Sequence, residues 1–212
     1  MAFEVFKKIP RLFRECTITE KIDGTNGQIL IGIPGIDVVH ASTDQWFDPL
    51  VMVGDVAVWA GSRNRWIYAE QSKDNSGFAR WVLDRAAQLV EILGPGRHYG
   101  EFWGSGIQRK YGLTGNDKRF SLFNTDKWLP VLKQRELGGL PIPAGLGVVP
   151  VLYEGQFLTR EVEDQIFRLR TFGSLCVPGF MDPEGVVVYH HAAKSYFKVT
   201  VKDDEKPKGS TE

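Results

Sequence analysis

Glu20-Lys21-Ile22-Asp23-Gly24-Thr25-Asn26-Gly27 is the stretch that decides how this chain is read. The alternating run Cys16-Thr17-Ile18-Thr19 precedes it, and the apolar run Ile29-Leu30-Ile31-Gly32-Ile33 follows. A lysine therefore sits between two strand-like segments, flanked by carboxylates and followed closely by glycine. The plain reading is an exposed charge beside a hairpin. The sharper one is a lysine nucleophile at the mouth of a pocket, with Gly24 and Gly27 letting a nucleotide approach the backbone. Lys-x-Asp-Gly arises by chance in roughly one chain of this length in twenty, so its weight depends on the rest of the sequence.

Working outward, strands are expected at about 17–22, 27–33 and 37–42, with Ile33-Pro34-Gly35-Ile36 turning the last two into a hairpin. Residues 1–15 read as a packed extended arm or a short helix. Residues 76–93 carry the strongest helical pattern, opened by Ser76, striped by Phe78, Trp81, Val82, Leu89, Val90 and Leu93, and closed by Gly94-Pro95-Gly96. Further strands are expected at 98–103, 119–124, 147–153, 185–190 and 195–201. Helices are expected near 126–136 and from Thr159 to Gly173. The sum is an α+β fold of mostly antiparallel strands with a few helices packed outside. One domain is expected over 1–203, with Lys21 and the strands at 98–103, 119–124 and the end of the chain lining one concave surface. Residues 204–212 read as a disordered polar tail.

With 42% hydrophobic and 25% charged residues, the 212-residue chain has the composition of an ordinary globular protein with a real core. No apolar run reaches the length of a membrane span, and the N-terminus lacks the order of a signal peptide. Cys16 and Cys176 give neither a metal spacing nor a disulfide framework, so a cytoplasmic protein is expected, without a membrane partner. A net charge of zero removes any global pull on nucleic acid. Locally, Arg109, Lys110, Lys118, Arg119, Lys127, Lys133 and Arg135 face only Asp117 and Asp126 across one segment. Tyr111, Phe120, Phe123 and Trp128 are interleaved with them, a pattern that suits phosphate contact and stacking or, equally, a solvated face over core aromatics.

Five clusters bear on Lys21. Arg63, after Gly61-Ser62, offers a planar fork of donors for ribose or phosphate. Glu101, in Gly100-Glu101-Phe102-Trp103-Gly104, is a strand carboxylate with room beside it. Phe120-Ser121-Leu122-Phe123 supplies an aromatic for stacking on a base. Glu184 stands at the entrance of the β-branched strand Gly185-Val186-Val187-Val188, a position suited to a magnesium-bound water. Last, Lys198, Thr200 and Lys202 share one face of a strand whose other face holds Phe197, Val199 and Val201. Each cluster also has an ordinary structural explanation; their order along the chain carries more weight than any one of them.

That ordered set, over about residues 17 to 202, resembles the covalent nucleotidyltransferase superfamily of polynucleotide ligases and mRNA capping enzymes. The opening Glu-Lys-x-x-Gly-Thr-Asn, here Glu20 to Asn26, most resembles RNA ligases of the nick-sealing phage type. The resemblance implies an ATP-grasp-like nucleotidyltransferase fold, ATP and magnesium or manganese as cofactors, and RNA with 5′-phosphate and 3′-hydroxyl ends as partner, in RNA repair. It implies that Lys21 takes AMP from ATP, passes it to the 5′-phosphate, and that the 3′-hydroxyl then displaces it. By motif match, Asp23 positions the nucleophile and a metal-bound water, Asn26 and Arg63 contact the nucleotide or the RNA end, and Glu101 binds ribose. Phe123 stacks on adenine, Glu184 engages metal through water, and Lys198 holds the α-phosphate. Glu20 and Lys202 complete the expected nucleotide-binding set.

Two departures stand out. The family's last motif, Lys-x-Lys, reads Lys198-Val199-Thr200 here, so either Thr200 replaces the second lysine or Lys202 takes its place. Few residues follow that motif, so no OB-fold domain is expected, which favours RNA as substrate and leaves room for an accessory protein that grips it. A minimal DNA ligase, a guanylyltransferase core and a catalytically inactive RNA-end-binding module are the alternatives.

Overall fold

The alternation before Lys21 builds a strand buried on both sides. In the computed structural model, which describes residues 3–6, 8–34, 48–70, 72–202 and 204, β1 spans Glu15–Lys21. The chain divides into two compact units, Met1–Ile22 with Pro150–Glu212, and Asp23–Val149. The strand expected at 37–42, its hairpin and residues 205–212 of the expected tail lie outside the described residues.

The first unit is a four-stranded antiparallel sheet in the order β11-β10-β1-β9, with β9 at Val151–Gln156, β10 at Gly185–His190 and β11 at Ser195–Thr200. One face meets a helix, Thr159–Phe172, whose Val162, Ile166 and Leu169 pack with Cys16, Ile18, Val186, Val188 and Val201. Gly173 ends this helix as its pattern predicts. The arm before β1 differs from expectation. Phe3, Phe6 and Ile9 are 90%, 86% and 77% exposed. The segment is anchored near β1, where the Leu12 and Arg14 carbonyls accept from His190 and Phe157.

In the second unit, seven strands form one sheet with main order β3-β4-β2-β6-β7-β8, plus β5 beside β4. They span Thr25–Gly32 (β2), Val51–Val53 (β3), Val56–Gly61 (β4), Trp66–Ile67 (β5), Gly96–Gly104 (β6), Lys118–Leu122 (β7) and Leu146–Val148 (β8). All pairings are antiparallel except β7 with β8. Period two sends Ile29, Ile31, Phe102 and Phe120 to a core shared with Phe78, Trp81, Val82 and Leu89. Asn26, Gln28, Tyr99 and Glu101 are thereby left on the other face.

The helix expected over 76–93 is two helices, α1 (Phe78–Leu83) and α2 (Ala86–Leu93). Its start is held by the Asp74 carboxylate, which accepts from the Ala79 and Arg80 amides, rather than by Ser76. The helix Thr125–Leu137 (α3) is capped by Asn124, and Pro130 sits inside it; Thr159–Phe172 is α4. Among the described residues no helix is long and apolar enough to cross a membrane.

His98, buried on the core side of β6, donates from Nε2 to the Gly94 carbonyl and packs edge-on against Trp128. Burial lowers its pKa below the ordinary 6.5, with Lys127 adding to the effect. An unfolded chain then takes up this proton at higher pH than the folded one, so the contribution is fully present above about pH 6.5 and is lost as pH falls below it. His98→Gln is expected to flatten that part of the stability–pH curve, measured by urea unfolding between pH 5 and 7. An unchanged slope would show that another group carries it.

Candidate functional site

Lys21 is the last residue of the central strand of the first unit, directly opposite Gly185, which in turn faces Thr200 on β11. Next to Gly185, Glu184 is 5% exposed, and its Oε2 accepts from Lys21 Nζ at 2.6 Å. Two residues along, Thr19 pairs with Val187 and Val187 with Lys198. Directly opposed residues share a face, so Lys198 projects from the same side of the sheet as Lys21. Of the apolar face expected for β11, Val199 and the following Val201 pack into the core on the other side, whereas Phe197 is 56% exposed.

The row Lys21–Gly185–Thr200 places Thr200, not a lysine, in register with the candidate nucleophile. The Thr200 hydroxyl donates to the Lys202 carbonyl at 2.8 Å, and Lys202 Nζ is ion-paired with Asp182 at 2.7 Å. The Lys202 ammonium thus faces the segment before β10, in a pair that stays largely exposed. Glu20 has the opposite orientation to Lys21, as adjacent strand residues must. It is 1% exposed and accepts from Ser174 Oγ at 2.5 Å and the Leu175 amide at 2.8 Å. Burial raises its pKa while these hydrogen bonds oppose the rise. Its contacts fasten the segment after α4 to β1, a structural task the expectation of nucleotide binding did not anticipate.

A second cluster is built in the Asp23–Val149 unit. The Asp23 amide donates to Tyr111 Oη at 2.9 Å, and Arg109 Nε donates to Asp23 Oδ2 at 3.0 Å. Both partners come from a turn in which Gln108, Lys110 and Tyr111 all have positive φ, a conformation non-glycine residues adopt only when their surroundings impose it. Tyr111 is fully buried against Trp103. Neither Arg109 nor Tyr111 is assigned to the site by sequence; their signal was the basic–aromatic run, which suits phosphate contact and stacking or, equally, a solvated face over core aromatics.

Beside them, the Glu101 carboxylate accepts from the Gly24 amide at 3.1 Å and from Asn26 Nδ2 at 2.8 Å. Arg63 Nε donates to Asn26 Oδ1 at 2.9 Å, with a second bond from the same guanidinium. Arg63, Asn26, Glu101 and Gly24 thus form one hydrogen-bonded chain on the open sheet face. Gly24 is required there, because a Cβ would lie 2.4 Å from the Phe102 carbonyl oxygen. Of the two candidate aromatics, Phe120 is buried among Phe78 and Trp81, whereas Phe123, just past β7, is half-buried and outside that core.

One broader expectation fails. Lys21, β10 and β11 belong to one sheet, and the strands at 98–103 and 119–124 to another, so they do not line a single sheet surface. In the basic run of 109–135, four of the seven cations have partners within the chain. Arg109 pairs with Asp23, Arg119 with Asp117 and Arg135 with Glu91, while Lys118 donates to the Ser76 carbonyl.

Among the described residues no three His, Cys, Asp or Glu side chains converge as a metal cage. Asp23 and Glu184 are hard oxygen donors, each already facing a cation. Each of these carboxylates, taken within its own unit, fits a magnesium or manganese ion held mainly by water and phosphate, and neither fits a protein-caged ion.

The family model described as RNA ligase matches residues 14–201. The chain belongs to the RNA ligase family. Its fold is similar to solved structures of mutant RNA ligases from Naegleria gruberi. One, with ATP and manganese, has 16% identity and a TM-score of 0.52 over 93% of this chain and 56% of that one. Another, with AMP and manganese, has 17% identity and a TM-score of 0.51 over 89% and 50%. At these identities the likeness shows the fold alone, and the chain spans about half the length of the solved structures it matches. Among curated proteins no sequence matches.

Proposed function

We propose that this RNA ligase family member joins RNA ends by way of a lysyl-AMP formed on Lys21. The observation that carries the proposal is the contact of Lys21 Nζ with Glu184 Oε2 at 2.6 Å, with Lys198 on the same sheet face. A lysine so placed can attack only after losing a proton, and Glu184 is the group positioned to take it. Nζ then forms a bond to the α-phosphorus of ATP as the bond to the β-phosphate bridge oxygen breaks, and pyrophosphate leaves. AMP passes to an RNA 5′-phosphate, whose oxygen displaces Nζ. A 3′-hydroxyl then attacks that 5′-phosphorus, forming the phosphodiester and releasing AMP.

Lys198 supplies the positive charge that meets the α-phosphate in the transition state. A divalent cation bound to the phosphates would screen their charge, with Asp23 and Glu184 as its protein-side oxygens through water. For the nucleotide, the motif match gives ribose to Glu101 and the adenine face to Phe123, with Asn26 and Arg63 at the nucleotide or RNA end. Arg109 and Tyr111 hold Asp23 in its orientation.

The test is incubation of the wild-type protein with magnesium or manganese and α-labelled ATP or GTP, followed by denaturing electrophoresis and mapping of the labelled peptide. Label from ATP on Lys21 is expected, followed by sealing of nicked RNA. Absence of label from both nucleotides sinks the proposal, label from GTP alone makes the chain a guanylyltransferase core, and sealing of nicked DNA alone makes it a DNA ligase.

A further inference from the structure

The hairpin between β4 and β5 reverses over Ser62–Arg65, closed by the Ser62 amide donating to the Arg65 carbonyl at 2.8 Å. Its tip leaves Arg63 and Arg65 exposed beside Trp66. Arg97 reaches the same place from β6, its guanidinium lying 5.3 Å from the Trp66 ring centroid and bonded to Gln28 Oε1. With Tyr68 these residues line a cavity of about 430 Å³, within the size range of small-molecule sites.

The charge of this cavity is unlike that of the rest of the chain. Net charge is zero overall, yet three arginines and no carboxylate line the cavity. Among the described residues none of Arg63, Arg65 and Arg97 has an acidic partner, in contrast to Arg109, Arg119 and Arg135. Three guanidinium groups without an acidic partner around one concavity, beside an indole and a phenol, match a ligand carrying both phosphate charge and a flat ring. Arg63 also bonds Asn26, so the cavity adjoins the Asn26–Glu101 network. Along β6 the open face runs Arg97, Tyr99, Glu101; four residues of strand put the cavity end about 13 Å from Glu101, and Tyr99 between them is 54% exposed.

We propose that this cavity binds a nucleotide of a single-stranded stretch of RNA, with Arg65 and Arg97 on its phosphates and its base against the Trp66–Tyr68 side. The identity of the ligand as RNA rests on the RNA-joining reading above; the site itself is distinct from the lysine that takes AMP.

The experiment is fluorescence anisotropy of a short labelled single-stranded oligoribonucleotide over a salt series, with wild type, Arg65→Gln, Arg97→Gln and the double variant. Each single change is expected to weaken binding about tenfold at low salt, and the double variant to reduce the log–log salt slope by about 1.4, the value for two lost phosphate contacts on a single strand. Thermal unfolding midpoints equal to wild type would make the loss local; if Arg97→Gln lowers its midpoint, Arg65→Gln at the exposed turn decides. Unchanged affinity and slope overturn the proposal, as does competition by free ATP for the same variant-sensitive binding, or equal variant-sensitive binding of fully paired RNA. A wild-type protein that becomes labelled by ATP but binds no single-stranded RNA overturns this site and leaves the lysyl-AMP reading standing. Variant-sensitive RNA binding without labelling does the reverse.

Discussion

Lys21→Ala is expected to take up no detectable label from α-labelled ATP, a fall of at least about a thousandfold, since no other group replaces a lost covalent nucleophile. The same change has a second effect that must be separated from the first. Glu184 is 5% exposed and its Oε2 is held by Lys21. Removing the lysine leaves a nearly buried carboxylate without that partner, at a cost of about 1–3 kcal/mol. Urea unfolding should therefore show Lys21→Ala weakened but folded. Glu184→Gln keeps an oxygen acceptor at the same place, so it should hold more stability than Lys21→Ala while losing most of the labelling. Label persisting in Lys21→Ala would move the nucleophile elsewhere. Glu184→Gln labelling at the wild-type rate would reduce Glu184 to a stabilising partner.

Gly185→Ala is expected to be among the most destabilising small changes available in the chain. A Cβ at this position would lie 2.1 Å from the Val199 carbonyl oxygen and 2.8 Å from the Thr200 Cα. These are main-chain atoms of the neighbouring strand, so relief requires β10 and β11 to part rather than a side chain to rotate. The cost is about 3 kcal/mol for alanine, and valine adds to it. Because Gly185 pairs directly with Lys21, labelling should fall along with stability. Gly147, in β8, meets nothing within 4 Å of an added Cβ, and Gly147→Ala should stay within about 0.5 kcal/mol of wild type. Equal urea midpoints for both alanine variants would contradict the close approach at Gly185.

Much of the fold was legible because period and punctuation coincide. Val199 and Val201 pack into the core on the face expected of them, and the helix opened by Thr159 ends at Gly173. The break between α1 and α2 was not legible, because its cause is tertiary. Arg85 leaves the helical course to donate to the Ala144 and Trp81 carbonyls while stacking on the Trp81 ring. The single strand expected at 147–153 had its contrary signal in plain view. Pro150 has no amide to give a ladder, and the chain leaves one unit for the other there.

At the site, residue types and spacing pointed to Lys21, Glu184, Glu101, Asn26 and Arg63, because a motif states which chemistry is present. They did not indicate which strands become neighbours, so the two sheets were read as one surface. Nor did they show which cations have acidic partners. Lys202 and the 109–135 run look available in a list of residues, and only packing reveals Asp182 beside the first and Asp23, Asp117 and Glu91 beside the arginines of the second.

The division of the first unit into two separated pieces has a consequence during synthesis. The Asp23–Val149 unit is continuous and has all its strands once Val149 has left the ribosome. β1 emerges first but is central, with both partners, β9 and β10, made after that point. Until then Cys16 and Ile18 lack their apolar neighbours and both edges of the strand are unpaired, the state most open to association with other chains. An already folded Asp23–Val149 unit replaces the long flexible loop that would otherwise separate Lys21 from Gly185, which lowers the entropy lost in pairing them. The strand that carries Lys21 is thus made well before either of its partners and stays unpaired until they follow.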